Sequence, residues 1–153
     1  IRVEESHFPT ILAAYAVAPG MRLNGWESLR GQSQRVEYRR GTKIAELVLS
    51  PVIPKDKLST IYTTDQGLKR LITGRTDIYI DVEDIVTETI MRLNPEAFDP
   101  SRVYQAGIMA RDTLHLYLHK KNAALVPKVD KVLKALKKEG LIQDCKQRAM
   151  VQK

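Results

Sequence analysis

The chain has 153 residues, 43% of them apolar, and carries 25 Lys+Arg against 18 Asp+Glu, a net charge of +7. That length fits one domain or two small lobes with a real core, and the composition excludes an intrinsically disordered chain. No apolar run approaches the roughly 20 residues of a membrane span. The opening IRVEESHF lacks a charged-then-apolar leader, and the single Cys145 excludes an internal disulfide.

In chain order, Ile11 to Val17 (ILAAYAV) reads as a buried strand ended by Pro19 and Gly20. Trp26 and Leu29 fall in a short turn or helix, GWESLRG. Gln34 to Tyr38 is a strand that runs into Arg39, Arg40, Gly41 and Thr42. Ile44, Leu47 and Val48 then mark a helix that stops near Ser50 and Pro51. A strand, a Gly-Thr turn and a helix start can hold an anion, because free backbone N–H groups, the helix dipole and the Thr42 hydroxyl all point at the turn. The same residues equally describe an ordinary tight turn with Thr42 as helix cap. The glycine spacing of a Walker loop or a dinucleotide fingerprint is absent.

Ser59 to Tyr62 is a further short strand, followed by TDQGLKRLITGRTDIYID, Thr64 to Asp81. Thr64 is expected to cap a helix whose apolar face is Leu68, Leu71 and Ile72, with Gly74 as its stop. Ile78 to Ile80 is a short buried strand with Asp81 at its carboxyl end. Residues 34 to 81 thus alternate β, α, β, α, β, which implies parallel strands with right-handed crossovers and puts Thr42 and Asp81 at one sheet edge. A carboxylate there either grips a cationic group or caps the next helix. That helix covers Val82 to Leu93, with Ile85, Ile90 and Leu93 as its candidate buried face and Asn94-Pro95 as its end.

Val103 to Met109 and Leu114 to Leu118 read as two strands, the second alternating Leu114, Leu116 and Leu118 with His115, Tyr117 and His119. A lysine-rich amphipathic helix closes the chain, from Pro127 through Val129, Val132, Leu133 and Leu136 to Gly140. Residues 1–118 hold 15 Lys+Arg against 15 Asp+Glu, and residues 119–153 hold 10 against 3, so the positive excess is C-terminal. Lysines 128, 131, 134, 137 and 138 mostly lie off the apolar stripe, as on a solvated face, and nothing interleaves them with aromatics, so no nucleic-acid partner is expected. His115 and His119 are too widely spaced for a shared metal, and no metal site is expected. Asp77, Asp81, Glu83 and Asp84 point in scattered directions without a nucleophile–base pair, so no enzyme activity and no catalytic residue is expected.

Taken together, ESLRGQ, RRGTKIAE, GLKRLITGRTDIYID and LHLYLHKKNAALVPKVDKVLKALKKEGLI, in that order and spacing, resemble the second lobe and closing segment of family 3 extracellular solute-binding proteins. The likeness runs from about Phe8 to the C-terminus and is greatest to the polar amino-acid transport branch. It implies an α/β, two-lobed type II periplasmic binding fold with the second lobe complete and the first partial. Residues 1–18 would be part of lobe one and the first crossing strand, 19–102 lobe two, and 103–153 the second crossing strand and the return to lobe one. The implied function is binding of a small polar solute, an amino acid above all, as the substrate-binding component of an ABC-type transporter that works by lobe closure. An extracellular sensor domain or a cytosolic regulatory domain of the same fold is the alternative.

The ligand residues that the resemblance implies are Gly41 and Thr42 for an α-carboxylate and Asp81 for an α-amino group, with no cofactor. Lys43 departs from the small hydroxyl residue common after Gly-Thr, and would either block that contact or select another anion. The implied setting is periplasmic or extracellular, with a membrane permease or receptor as partner. Family members carry further lobe-one strands before the position of Ile1, so the sequence is expected to be either a fragment or a protein with half a cleft, and to self-associate through the incomplete lobe.

Overall fold

The computed structural model describes residues 1–96 and 98–151, with side chains up to residue 149. It divides into two compact units, one of residues 11–111 and one of residues 1–10 with 112–153. Two long strands, β1 (Arg2–Ala16) and β6 (Tyr104–Tyr117), run from one unit into the other.

The larger unit holds β2 (Leu23–Asn24), β3 (Val36–Arg39), α1 (Lys43–Leu49), β4 (Leu58–Ile61), α2 (Thr64–Ile72), β5 (Ile78–Val82) and α3 (Glu83–Arg92). The strands form one sheet in the order β2-β6-β1-β5-β3-β4. β3 pairs in parallel with both β4 and β5, as the β, α, β, α, β alternation requires, while β1 runs antiparallel to β5. Alternation along each strand then builds two cores. Leu12, Ala14, Val36, Tyr38, Ile78 and Ile80 pack with Ala45 and Leu49 of α1 on one face. Ala13, Tyr15 and Tyr79 pack with Leu68 and Leu71 of α2 and Val86 of α3 on the other.

Charged residues pin this second face. Glu37 is buried and takes the Arg70 guanidinium of α2 at 2.7 Å and the Ser59 hydroxyl at 2.8 Å. Arg35 binds both oxygens of Asp77 at 2.8 to 3.0 Å and holds that carboxyl below the usual carboxylate range. The helix stop at Gly74 is a Schellman turn, in which the Gly74 N–H donates to Leu71 and the Arg75 N–H donates to Arg70.

The sequence expectations differ from the structure at identifiable places. Thr63, not Thr64, caps α2, accepting from the Gln66 N–H. In α1 the buried positions are Ala45 and Leu49, whereas Ile44 and Leu47 are exposed, the latter by 75%. The helix has seven residues, and with a stripe so short, size and hydrophobicity alone misplace the buried face. In α3, Val86 and Thr89 are buried, with Ile90 and Leu93 partly so, and Ile85 lies off the core. The two late strands are one continuous strand, β6, since Ala110 to Thr113 contains neither glycine nor proline and its one turn-prone residue, Asp112, does not interrupt the strand.

In the smaller unit the ends of β1 and β6 are joined by Ile1 and Leu118, whose backbone nitrogens each donate to the other's carbonyl, at 2.6 and 2.9 Å. Helix α4 (Val126–Lys138) docks on β1: the Glu5 N–H donates to Asp130 at 2.6 Å, and Lys137 binds both Glu5 and the Ser6 hydroxyl. Leu133 is the buried member of its stripe, and Val132 points outward. Gly140 ends α4 as expected, but a further helix, α5 (Leu141–Val151), follows where none is expected. Its apolar positions lack a strong single-face pattern.

Candidate functional site

The carboxyl ends of β3 and β5 lie side by side, since Tyr38 is in register with Ile80 and the next residues are Arg39 and Asp81. At β3 the chain turns through Arg39, Arg40, Gly41 and Thr42, with the Thr42 N–H donating to the Arg39 carbonyl at 3.2 Å. Gly41 takes φ +91°, the positive value that such a turn needs at its third residue and that glycine adopts freely. The Thr42 N–H is therefore committed to the turn. Its hydroxyl makes no capping bond to α1. Lys43 pairs with Glu46 one turn along the helix at 2.8 Å, and both are exposed.

Asp81 is completely buried, and both of its oxygens are occupied. Oδ1 accepts from Arg39 Nε at 2.8 Å and from the Val82 N–H at 2.8 Å. Oδ2 accepts from the Thr64 hydroxyl at 2.7 Å and from the Tyr79 hydroxyl at 2.7 Å. Four short bonds match the lone-pair capacity of a carboxylate, so its charge and its acceptor sites are satisfied within the protein. Burial, reinforced by the Asp81 charge, pushes the Tyr79 hydroxyl well above its ordinary value, which keeps it a donor. Tyr79 fits there because residue 67 is glycine: a Cβ on α2 at that point would stand 2.4 Å from its ring.

Sequence reasoning brought Gly41, Thr42, Lys43 and Asp81 to one edge, and the parallel pairing does so. It missed Arg39, Thr64 and Tyr79 as partners of Asp81. The signal that could have found Arg39 is its place in the strand, one residue past Tyr38, on the same face as Glu37. Asp81 does not cap α3, whose cap position is Val82 and which receives no side-chain cap. Next to the turn, Arg40 donates to the Tyr62 hydroxyl at 2.6 Å and lies 5.1 Å from that ring's centre. Elsewhere, His115 Nδ1 is 3.0 Å from the Val3 carbonyl and His119 caps a short 3-10 turn, so the two do not converge. Among the described residues no His, Cys, Asp and Glu group could hold a metal, and no helix is long and apolar enough to cross a membrane.

No protein-family model matches the chain. An uncharacterized protein of Shewanella oneidensis is 34% identical over 149 residues, a span of 97% of this chain and 55% of the relative. Among solved structures, the chain is similar to a P235GK mutant of ArgBP from T. maritima, with 17% identity and a TM-score of 0.67 over 97% of this chain and 61% of that one. It is similar to the amino-acid ABC transporter substrate-binding protein AbpA of Streptococcus pneumoniae bound to L-arginine, with 15% identity and a TM-score of 0.70 over 95% and 59%. A histidine kinase sensor domain with similarity to periplasmic binding proteins also gives a TM-score of 0.70, at 17% identity over 96% and 62%. The chain thus spans little more than half the length of the proteins it matches. Its fold is that of the type II periplasmic binding proteins, an α/β fold as expected.

Proposed function

We propose that this chain is the ligand-closing part of a solute-binding protein, taking a small polar solute of the amino-acid class as the substrate-binding component of an ABC-type transporter at the outer side of a membrane. The observation that carries the reading is the sheet edge itself: in a fold shared with amino-acid-binding proteins, the Gly41–Lys43 turn and the Arg39–Asp81 pair meet at the carboxyl ends of parallel strands, where open α/β sheets receive ligands. Residues 19–102 form the complete lobe in this reading, and 1–18 with 103–153 belong to a partial one. A ligand held by both lobes would stabilise the closed form by its differential affinity, and a permease would read that form. The reading involves no catalysis.

A sensor role is the second reading, favoured by the equal likeness to the kinase sensor domain and AbpA. Both readings require a solute. Thermal unfolding of the protein as it is expressed in the cell, against the common amino acids and small organic acids, tests for one. A solute that binds the native state raises the midpoint, by an amount that grows with its concentration. A midpoint that no solute moves at millimolar concentration rejects both readings.

A further inference from the structure

The geometry points to a carboxylate subsite at Arg39, in which Asp81 serves only to hold the guanidinium and never meets the ligand. This rests on the solute-binding reading and names the group that the site takes.

Asp81 has no room for a ligand ammonium. It is 0% exposed, and Arg39, Val82, Thr64 and Tyr79 supply four donors at 2.7 to 2.8 Å. A cation could enter only by expelling Arg39, and an ammonium is more strongly hydrated than the guanidinium it would displace. The cationic half of the site is therefore built in. Arg39, in contrast, is only partly used. Its side chain is 31% exposed and is bound to Asp81 through Nε, and among the described residues its two terminal nitrogens make no hydrogen bond. Those nitrogens carry four N–H groups in a planar fork that fits a carboxylate in two parallel bonds. Because Asp81 anchors the fork at its base, little rotamer freedom is lost when an anion arrives.

The nearby side chains agree with a negative ligand group. Arg40 donates to the Tyr62 hydroxyl and lies over its ring, and its charge also helps hold the Glu46 carboxyl low, but among the described residues it forms no salt bridge. The Thr42 hydroxyl is not engaged in capping. The ligand class is a small carboxylate, which any amino acid and a simple organic acid both provide, and the amine of an amino acid gains nothing from Asp81.

Matched pairs separate this from an amine-gripping Asp81. Calorimetric affinities are compared for each amino acid that binds, its deaminated acid and its amide or ester, on the full chain and on Arg39→Gln and Arg39→Lys. The deaminated acid is expected to bind within about threefold of the amino acid. Blocking the carboxylate, or Arg39→Gln, is expected to weaken binding at least tenfold. Arg39→Lys keeps a positive charge beside Asp81 but loses the fork, and is expected to fold normally while binding at least tenfold more weakly, which covers the case in which Arg39→Gln does not fold. If deamination costs tenfold or more and Arg39→Lys leaves affinity intact, the carboxylate subsite is wrong while solute binding stands. If no acid, amino acid or amide binds, solute binding itself fails and the subsite with it.

Discussion

Thr63 and Thr64 are adjacent, chemically identical and differently used. Thr63 caps α2 from the outside, with its hydroxyl 3.3 Å from the Gln66 N–H and its side chain exposed. Thr64 is buried at the first helical position and donates to Asp81 at 2.7 Å. Loss of the cap is expected to cost about 1 kcal/mol. Loss of the inner hydroxyl removes a bond to a buried charge and is expected to cost about 2 to 3 kcal/mol. Chemical denaturation of Thr63→Ala and Thr64→Val should show this order. Equal losses would mean that Asp81 does not depend on Thr64. Both threonines are conspicuous in the sequence at the helix start. Which of them faces inward depends on where the first turn begins, and that shifts with one residue of strand length before it.

At the level of elements, the antiparallel pair β1–β5 brings Tyr15 opposite Tyr79 within one core. Both hydroxyls are raised above the ordinary value of 10.0, in each case mainly by burial; the charge of Asp81 adds to Tyr79, and those of Glu83, Asp81 and Asp84 add to Tyr15. Each stays protonated in the folded chain to a higher pH than in the unfolded chain. Their contribution to stability is thus complete below about pH 10 and declines above it, as the unfolded state alone gives up its protons, by about 1.4 kcal/mol per pH unit for each tyrosine. Urea midpoints between about pH 9 and 11.5 should fall accordingly, and Tyr15→Phe should make the fall shallower without abolishing it, since Tyr79 and, through burial, Tyr38 are raised as well. A midpoint constant over that range would show that the two rings are wet in solution. The apolar letters of ILAAYAV and DIYID already identify these strands. That the two tyrosines stand opposite one another is a matter of register, which no local pattern encodes.

For the whole molecule, the smaller unit leaves apolar side chains in water: Leu114 is 47% exposed, Leu116 36% and Tyr117 73%. Alternation sets Leu114, Leu116 and Leu118 on one face of this strand against His115 and Tyr117, yet Leu114 and Leu116 are exposed and it is His115 that is half-buried, beside the Val3 carbonyl. We propose that this chain associates with a second copy through these exposed apolar side chains. Sedimentation of this chain is expected to show concentration-dependent dimers or larger species that Leu114→Lys with Leu116→Lys disperses. A monomer at all concentrations would end that part of the proposal. Of the α4 lysines, Lys134 pairs with Asp130 and Lys137 with Glu5.

The sequence by itself determined the alternation of strands and helices from Gln34 to Asp81, the parallel pairing it demands and the edge where Gly41, Thr42 and Asp81 gather. These follow from period, turn residues and the handedness of crossovers, which act over a few residues at a time. Only the tertiary structure decided what Asp81 does. Arg39 lies 42 residues away, Thr64 lies 17 away, and their pairing with one buried carboxylate depends on register across β3 and β5 and on the docking of α2. A buried charge must find its partners wherever the chain brings them, and those partners are set by the fold as a whole.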